Sequence, residues 1–191
     1  ETIEAVLAGD VERYAQLVDR YQGAAIRLAF SLLGNDEDAK DASQEAFINA
    51  YRSLRGFRGG AKFSTWLYRI VVNECKDVFR RRAHQPRAEA GVGEPDAERT
   101  DGYLLVDVAD PAAGPGEQLA GRELSHRVSA AIVRLPMQQR TAFVLHHLQG
   151  LRLDDVAQVM RCRLGTVKSH VFRATEQLKR WLQPWREGRS W

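Results

Sequence analysis

Apolar residues recur at spacings of three and four along most of this 191-residue chain, and that periodicity predicts helices rather than strands. The first long stripe runs from Val11 to Tyr21 behind Asp10, a residue type suited to capping the start of a helix. The stripe continues to Gly34, which is a natural C-terminal stop. Since strand-type alternation of useful length is absent from the sequence, we expect an all-α fold.

Two more helical segments follow in the N-terminal part. A helix is predicted to begin near Asn35 and Asp36, where acidic residues suit the positive end of the helix dipole, and to end before a glycine-rich basic loop. Another apolar stripe runs from Phe63 to Phe79 and leads into three consecutive arginines. Residues 1–83 are therefore predicted to form one helical domain.

The periodic pattern is lost between residues 84 and 118. Four of the six prolines lie in this segment, together with 2 Lys and Arg against 8 Asp and Glu, which is typical of a flexible acidic linker. The short apolar run from Tyr103 to Val106 is interpreted as a sticky linker segment, with a transient strand or a docking patch as alternatives. We expect two small helical domains, residues 1–83 and 119–191, joined by this linker.

The net charge of +3 is the sum of blocks of opposite sign. Residues 1–51 carry 4 Lys and Arg against 10 Asp and Glu, whereas residues 52–83 carry 9 against 2. Residues 119–191 are basic again, with 13 against 5. Two basic blocks separated by acidic ones predict two polyanion-binding surfaces, although charge runs can equally be solvated faces.

The C-terminal domain ends in a helix-turn-helix pattern. Short helices are predicted over residues 154–160 and 165–182, and the second has polar and basic residues opposite its apolar stripe. The first turns of such a helix enter the major groove, and basic residues in the turn contact phosphates. The predicted DNA-binding residues are Arg161, Arg163, Thr166, Lys168, Ser169, His170 and Arg173. The alternative is a helical hairpin whose basic face is merely solvated.

The turn itself departs from the common pattern. Such turns often have Gly where Arg161 stands, because the backbone there adopts a positive φ. Either this turn is built differently, or the chain tolerates strain to gain a cation.

Three motifs, in this order, resemble the sigma-70 family of bacterial transcription factors. The segment from Asp38 to Phe47 resembles the polymerase-binding helix of the second sigma domain, and the segment from Phe63 to Arg82 resembles the helix that handles the minus-ten element. In the C-terminal part, Leu135-Pro136, Arg140, Phe143, Val156-Ala157 and Gly165-Thr166-Val167-Lys168-Ser169 resemble the fourth domain. With only these two domains, the chain looks like the extracytoplasmic function (ECF) group.

The resemblance implies a role for each surface. The clamp helices of the largest subunit of core RNA polymerase would bind the helix that carries Asp41, Gln44, Glu45 and Asn49, of which the first three share one face. The minus-ten promoter DNA would contact Arg58, Lys62, Trp66, Arg69, Asn73, Lys76, Arg80 and Arg81, although Trp66 is more readily interpreted as a core residue. The helix-turn-helix would read the minus-thirty-five element beside the flap region of polymerase. An anti-sigma factor is an implied partner, and the linker would thread the channels of polymerase as an RNA mimic.

The sequence lacks the motifs that are typical of enzymes, metal sites and membrane proteins. The sequence contains no Gly-rich phosphate loop, HExxH or GxSxG motif, so no catalytic residue is expected. No cofactor or metal is expected either, because the adjacent His146 and His147 point about 100° apart on a helix. Two distant cysteines fit a reducing cytoplasm, and no apolar run approaches the roughly twenty residues of a membrane span. The rival function is an operator-binding regulator, which would bind duplex DNA without polymerase.

Overall fold

The computed structural model describes residues 2–57, 59–84 and 115–187, and every regular element within these ranges is helical. The all-α prediction is therefore confirmed. Arg58, the linker residues 85–114 with the run from Tyr103 to Val106, and the chain ends lie outside the described residues. The helices are α1 (Thr2–Leu7), α2 (Val11–Leu33), α3 (Asp36–Ser53), α4 (Phe63–His84), α5 (Pro115–Arg134), α6 (Met137–Phe143), α7 (Leu153–Met160) and α8 (Leu164–Glu187).

The ends of α2 and α3 are set by local sequence. The side chain of Asp10 accepts a hydrogen bond from the Arg13 amide at 3.1 Å, and that of Asn35 accepts one from the Asp38 amide at 2.9 Å. Gly34 ends α2 in the left-handed conformation, with φ +70°, and its amide donates to the Phe30 carbonyl. These contacts satisfy terminal backbone groups that would otherwise lack a partner. The start and stop signals predicted from the sequence are confirmed.

In the N-terminal half, α2, α3 and α4 pack on one another. Their apolar stripes supply fully buried side chains, including Leu28, Ala46 and Leu67. The rings of Phe57, Phe63 and Trp66 lie 5.4–5.9 Å apart between centroids. This aromatic cluster holds Phe57, at the start of the glycine-rich loop, against the first turn of α4, because tilted and edge-on ring pairs at such separations are attractive.

In the C-terminal half, α8 packs on α5, α6 and α7. Helix α6 widens into a π-helical turn over Val144–Leu148 before the chain enters α7. Val144 and Leu145 are buried by this turn, and the Nδ1 atom of His146 lies 2.9 Å from the Leu151 carbonyl oxygen. The π-helical turn therefore orients the loop that leads into the helix-turn-helix.

The two halves are in contact, which the sequence analysis did not predict. Helix α4 packs on α7, and α2 packs on α5. Arg140 of α6 is only 6% exposed, and its guanidinium donates to the carbonyl of Leu32 in α2 as well as to those of Val133 and Leu135. Burial lowers the pKa of Arg140 to about 10, so the side chain remains charged at neutral pH. A single buried cation thus joins backbone segments from both halves.

Candidate nucleic-acid interface

One acidic surface lies on α3. Asp41, Gln44 and Glu45 are exposed, and their spacing of three and four residues places them on one side of the helix. Asn49 is half-buried, and its Nδ2 atom donates to Glu74 Oε1 of α4 at 3.0 Å. The structure therefore brings together three of the four predicted polymerase-binding residues as an exposed acidic face, and it turns the fourth toward α4.

A polar cleft between α3 and α4 borders this acidic face. Asp41 and Glu45 line the cleft on the α3 side, and Arg81 lines it on the α4 side. Arg82 forms an ion pair with Asp38 across the same cleft. The last turn of α4 is thus tied to α3. Arg81, which was predicted to contact DNA, lies with the carboxylates of the acidic face.

An apolar groove between α2 and α3 lies on the other side of the acidic face. Its volume is about 540 Å³, and Gln44 lines both this groove and the polar cleft. Val11 and Tyr51 at the rim are 64% and 47% exposed. The sequence analysis missed the groove, because its residues follow the same spacing as core residues.

A second predicted surface lies on α4. Arg69, Asn73, Lys76 and Arg80 follow one another at spacings of four, three and four, which places them on one face. Asn73 and Arg80 are exposed, Arg69 and Lys76 are half-buried, and Lys62 is exposed just before the helix begins. We call these five residues the basic face. Trp66 is 9% exposed within the aromatic cluster, so its interpretation as a core residue is confirmed.

The third predicted surface is the outward side of α8. Thr166, Lys168, Ser169 and Arg173 are exposed, whereas the opposite side, represented by Val167, Ala174 and Leu178, is buried. His170 lies between these two sides and is half-buried. We call Thr166, Lys168, Ser169 and Arg173 the recognition face. The structure brings these four predicted residues together.

The turn before α8 has a positive φ at Arg161, so of the two alternatives for this turn the strained backbone is the one observed. Arg161 has φ +52° and ψ +46°, in the left-handed region, where a residue with a Cβ atom is disfavoured by about 1–2 kcal/mol. Its backbone amide bonds to the end of α7, and its side chain is exposed, as is that of Arg163. Both turn arginines are therefore accessible to a backbone phosphate.

The recognition face also includes a residue that the sequence analysis missed. Phe172 is 67% exposed, three residues after Ser169 and adjacent to Arg173. It lies outside the apolar stripe defined by Val167 and Ala174, and this position is the signal that could have identified it. A large exposed aromatic side chain within a basic surface is suited to apolar contact with a base.

Within the three described ranges, no group of three or more His, Cys, Asp or Glu side chains could hold a metal ion. None of the described helices is both long enough and apolar enough to cross a membrane. Burial raises the pKa of the Cys75 thiol to about 12, which makes the reactive thiolate scarce at neutral pH.

The sequence is similar to those of transcription proteins along nearly its whole length. Residues 17–85 match the family model of sigma-70 region 2, and residues 125–178 match that of sigma-70 region 4. The RNA polymerase sigma-H factor of Pseudomonas aeruginosa is 37% identical over 185 residues, covering 96% of this chain and 93% of that protein. The ECF RNA polymerase sigma-E factor of Haemophilus influenzae is 39% identical over 183 residues, covering 95% of this chain and 94% of that protein.

Two solved structures are similar to the whole fold. The sigma factor RpoE of Bartonella quintana, in complex with the anti-sigma factor NepR, has a TM-score of 0.65 and 25% identity, covering 89% of this chain and 96% of that chain. CnrH, in complex with the cytosolic domain of CnrY, shares the fold with a TM-score of 0.68, 21% identity and 96% of each chain. The chain belongs to the sigma-70 family of RNA polymerase sigma factors, in its extracytoplasmic function group, and acts as an alternative sigma factor in transcription initiation.

Proposed function

We propose that this chain binds core RNA polymerase through the acidic face of α3 and directs the holoenzyme through two DNA-reading surfaces. The basic face of α4 contacts the minus-ten element, and the recognition face of α8 contacts the minus-thirty-five element. The observation that carries this proposal is that one acidic face and two basic faces lie on three different helices. An operator-binding regulator needs no such acidic face.

The surroundings of the acidic face support polymerase binding. The acidic face has the apolar groove on one side and the polar cleft on the other, and Gln44 lies on the boundary of both. A partner that presents basic and apolar side chains together can therefore bury apolar area while pairing with Asp41 and Glu45. The clamp helices of the largest polymerase subunit are the partner that we propose.

The chemistry of the basic face suits an opened minus-ten element. Arg69 and Asn73 combine a cation with an amide that can both donate and accept hydrogen bonds. Unstacked bases expose their edges to such groups, whereas phosphates of the same strand are drawn to nearby cations such as Lys62. The neighbouring Phe57 and Phe63 are half-buried and offer apolar surface at the loop end.

Regulation by a partner is the remaining part of the proposed function. The similar sigma factor RpoE was solved with an anti-sigma factor bound. We propose that an anti-sigma factor likewise restrains this chain, by covering the apolar groove and the acidic face. Because both polymerase and DNA must be accessible, the proposed site of action is the cytoplasm.

The proposal is tested by reversing the charge of the acidic face. Asp41→Arg with Glu45→Arg should abolish association with core polymerase in size-exclusion chromatography, since two attractive pairs become repulsive. Helicity by circular dichroism should be unchanged, because both side chains are exposed. The control is Glu123→Arg with Asp154→Arg, which makes the same change in net charge at exposed residues of α5 and α7. Co-elution of the Asp41/Glu45 variant at wild-type levels would show that this face is not the docking surface.

A further inference from the structure

The polar cleft between α3 and α4 is bounded at each end by a contact between the two helices. At one end, Arg82 of α4 forms an ion pair with Asp38 of α3. At the other end, the Nδ2 atom of Asn49 in α3 donates a hydrogen bond to Glu74 Oε1 of α4 at 3.0 Å. Since each residue of a helix rises about 1.5 Å, these two contacts lie roughly 16 Å apart along α3. The two helices are therefore held together at both ends of the cleft.

The two contacts differ in their effect on the charge of the carboxylate. The guanidinium of Arg82 compensates the negative charge of Asp38. The amide of Asn49 is a neutral donor, so it orients the carboxylate of Glu74 without cancelling its charge. An ionised carboxylate has about four acceptor sites, so Glu74 can bind a further donor while it accepts the hydrogen bond from Asn49.

Glu74 adds a carboxylate from α4 to the two that the acidic face contributes from α3. Asp41 and Glu45 line the same cleft as Glu74. In total, four carboxylates and two guanidinium groups line the cleft, which gives it a net charge of −2. The volume of the cleft is about 460 Å³, within the range of about 300–1,000 Å³ that is typical of ligand pockets. A long cationic side chain of a partner therefore suits the cleft in both size and charge.

The hydrogen bond from Asn49 also affects how strongly Glu74 can bind a cation. An exposed ion pair contributes little to affinity, because two long side chains lose rotamer freedom when they form it. Glu74 is half-buried and already held by Asn49, so less of its freedom remains to be lost. A carboxylate that is ordered before docking binds a cation more tightly than one that must be ordered during docking.

From this geometry we propose that Asn49 is a positioning residue and that Glu74, which it orients, belongs to the docking surface for core polymerase. In the docked complex, Glu74 joins Asp41 and Glu45 in binding a cationic side chain of polymerase that enters the cleft. Asn49 acts through Glu74, whereas the sequence analysis predicted that Asn49 itself contacts polymerase. This role of the pair rests on the proposed function, which assigns the acidic face to polymerase binding.

The first test removes the charge of Glu74 while retaining its acceptor oxygen. Glu74→Gln should weaken the affinity of the full-length chain for core polymerase at least roughly fivefold, because a hydrogen bond to a charged group becomes one to a neutral group. The affinity should also depend less steeply on salt. The measurement is a titration of fluorescently labelled chain with core polymerase at two salt concentrations. The control is Glu123→Gln, which makes the same chemical change at an exposed residue of α5.

The second test distinguishes positioning by Asn49 from a direct contact with polymerase or a merely structural role. Asn49→Ala should weaken polymerase binding about threefold, because Glu74 must then be ordered during docking. In a chain that already carries Glu74→Ala, the same change should leave the affinity unaltered, since the side chain that Asn49 orients is absent. A direct contact would give the same loss of affinity in both backgrounds. A structural role would lower the melting temperature without making the loss of affinity depend on Glu74.

The possible outcomes separate this inference from the proposed function. If Glu74→Gln binds core polymerase as the wild type does while Asp41→Arg/Glu45→Arg does not bind, Glu74 is not part of the docking surface and the proposed function stands. Equal losses from Asn49→Ala with and without the Glu74 side chain would overturn the positioning role. Wild-type binding by Asp41→Arg/Glu45→Arg would refute the proposed function and, with it, the role of the Asn49 and Glu74 pair.

Discussion

Phe172 combines an exposed aromatic ring with a position on the recognition face of α8. Single exposed apolar residues are common on protein surfaces, but this one lies between Ser169 and Arg173, on the side of the helix that faces DNA in the proposed function. Among the bases, thymine alone presents a methyl group in the major groove. Phe172 is therefore the residue of this face that we expect to select thymine.

The role of Phe172 is tested by removing the methyl group from the DNA. Replacing the contacted thymine by uracil should weaken wild-type holoenzyme about fourfold, which corresponds to about 0.8 kcal/mol for one buried carbon. Phe172→Ala should bind the thymine and uracil promoters equally in binding titrations. Arg173→Ala serves as the control and should retain the difference between them. If Phe172→Ala remains as sensitive to uracil as the wild type, its ring does not contact the methyl group.

Arg173 and Arg163 distinguish base reading from backbone contact. Arg173 is exposed on the recognition face, whereas Arg163 is exposed in the turn before α8. Arg173→Ala should lose about 1–3 kcal/mol of discrimination at one position of the minus-thirty-five element. Arg163→Ala should weaken all elements alike and lower the slope of affinity against salt by about one. The measurement is a binding titration of each protein variant on promoters that differ by single bases, at two salt concentrations. Equal losses of affinity on every promoter for both Arg173→Ala and Arg163→Ala would contradict this assignment.

At the scale of the helix, α4 has two polar sides with different surroundings. Arg69 and Asn73 lie on the basic face, whereas Glu74 and Arg81 line the cleft beside α3. Replacing Arg69 and Asn73 together with Ala should impair promoter opening, because the bases of the opened strand lose their hydrogen-bonding partners. Thermal stability should change little, as Asn73 is exposed and Arg69 half-buried. Arg13→Ala with Gln16→Ala removes the same types of group from exposed positions of α2 and is the matched control.

Permanganate reactivity of the minus-ten thymines provides the measurement for this pair. The Arg69/Asn73 variant should bind polymerase as well as the wild type does, but the minus-ten thymines should react less with permanganate. The control variant should give normal thymine reactivity. Normal opening by the Arg69/Asn73 variant, or its gross unfolding, would remove the support for a DNA-reading face on α4.

The helices themselves could be predicted from local sequence, because the groups that start and stop them are close in the chain. Asp10, Gly34 and Asn35 each cap a helix end through a hydrogen bond to a residue three or four positions away. Their residue types are those commonly found at helix caps. Exposure was harder to predict. Val11 and Phe172 are both exposed apolar residues on helices. Val11 lies at the rim of the groove and Phe172 on an open surface, and this difference depends on how neighbouring helices pack.

At the scale of the whole molecule, contacts between distant segments could not be predicted from the sequence. Arg140 belongs to the motif that resembles the fourth sigma domain, but its acceptor on Leu32 is 108 residues away. Helical periodicity specifies that a face is buried without specifying which helix buries it. The predicted division into two domains for this reason missed the packing of α4 on α7 and of α2 on α5.

The separation of the acidic face from the two basic ones leads to a prediction about the intact chain and duplex DNA. The basic faces attract any duplex, so the chain alone should bind weakly, with a strong dependence on salt and only a small preference for promoter over scrambled duplex, through the recognition face of α8. Addition of core polymerase should make this preference much larger, because opening of the minus-ten element in the complex exposes unstacked bases to the basic face of α4. Fluorescence anisotropy with and without core polymerase, on both duplexes, measures the preference directly. The Asp41→Arg/Glu45→Arg variant should keep only the small preference of the free chain in both conditions, since it cannot join polymerase. Tight, promoter-specific binding by the chain alone would instead identify an operator-binding regulator and would contradict the proposed docking role of the acidic face.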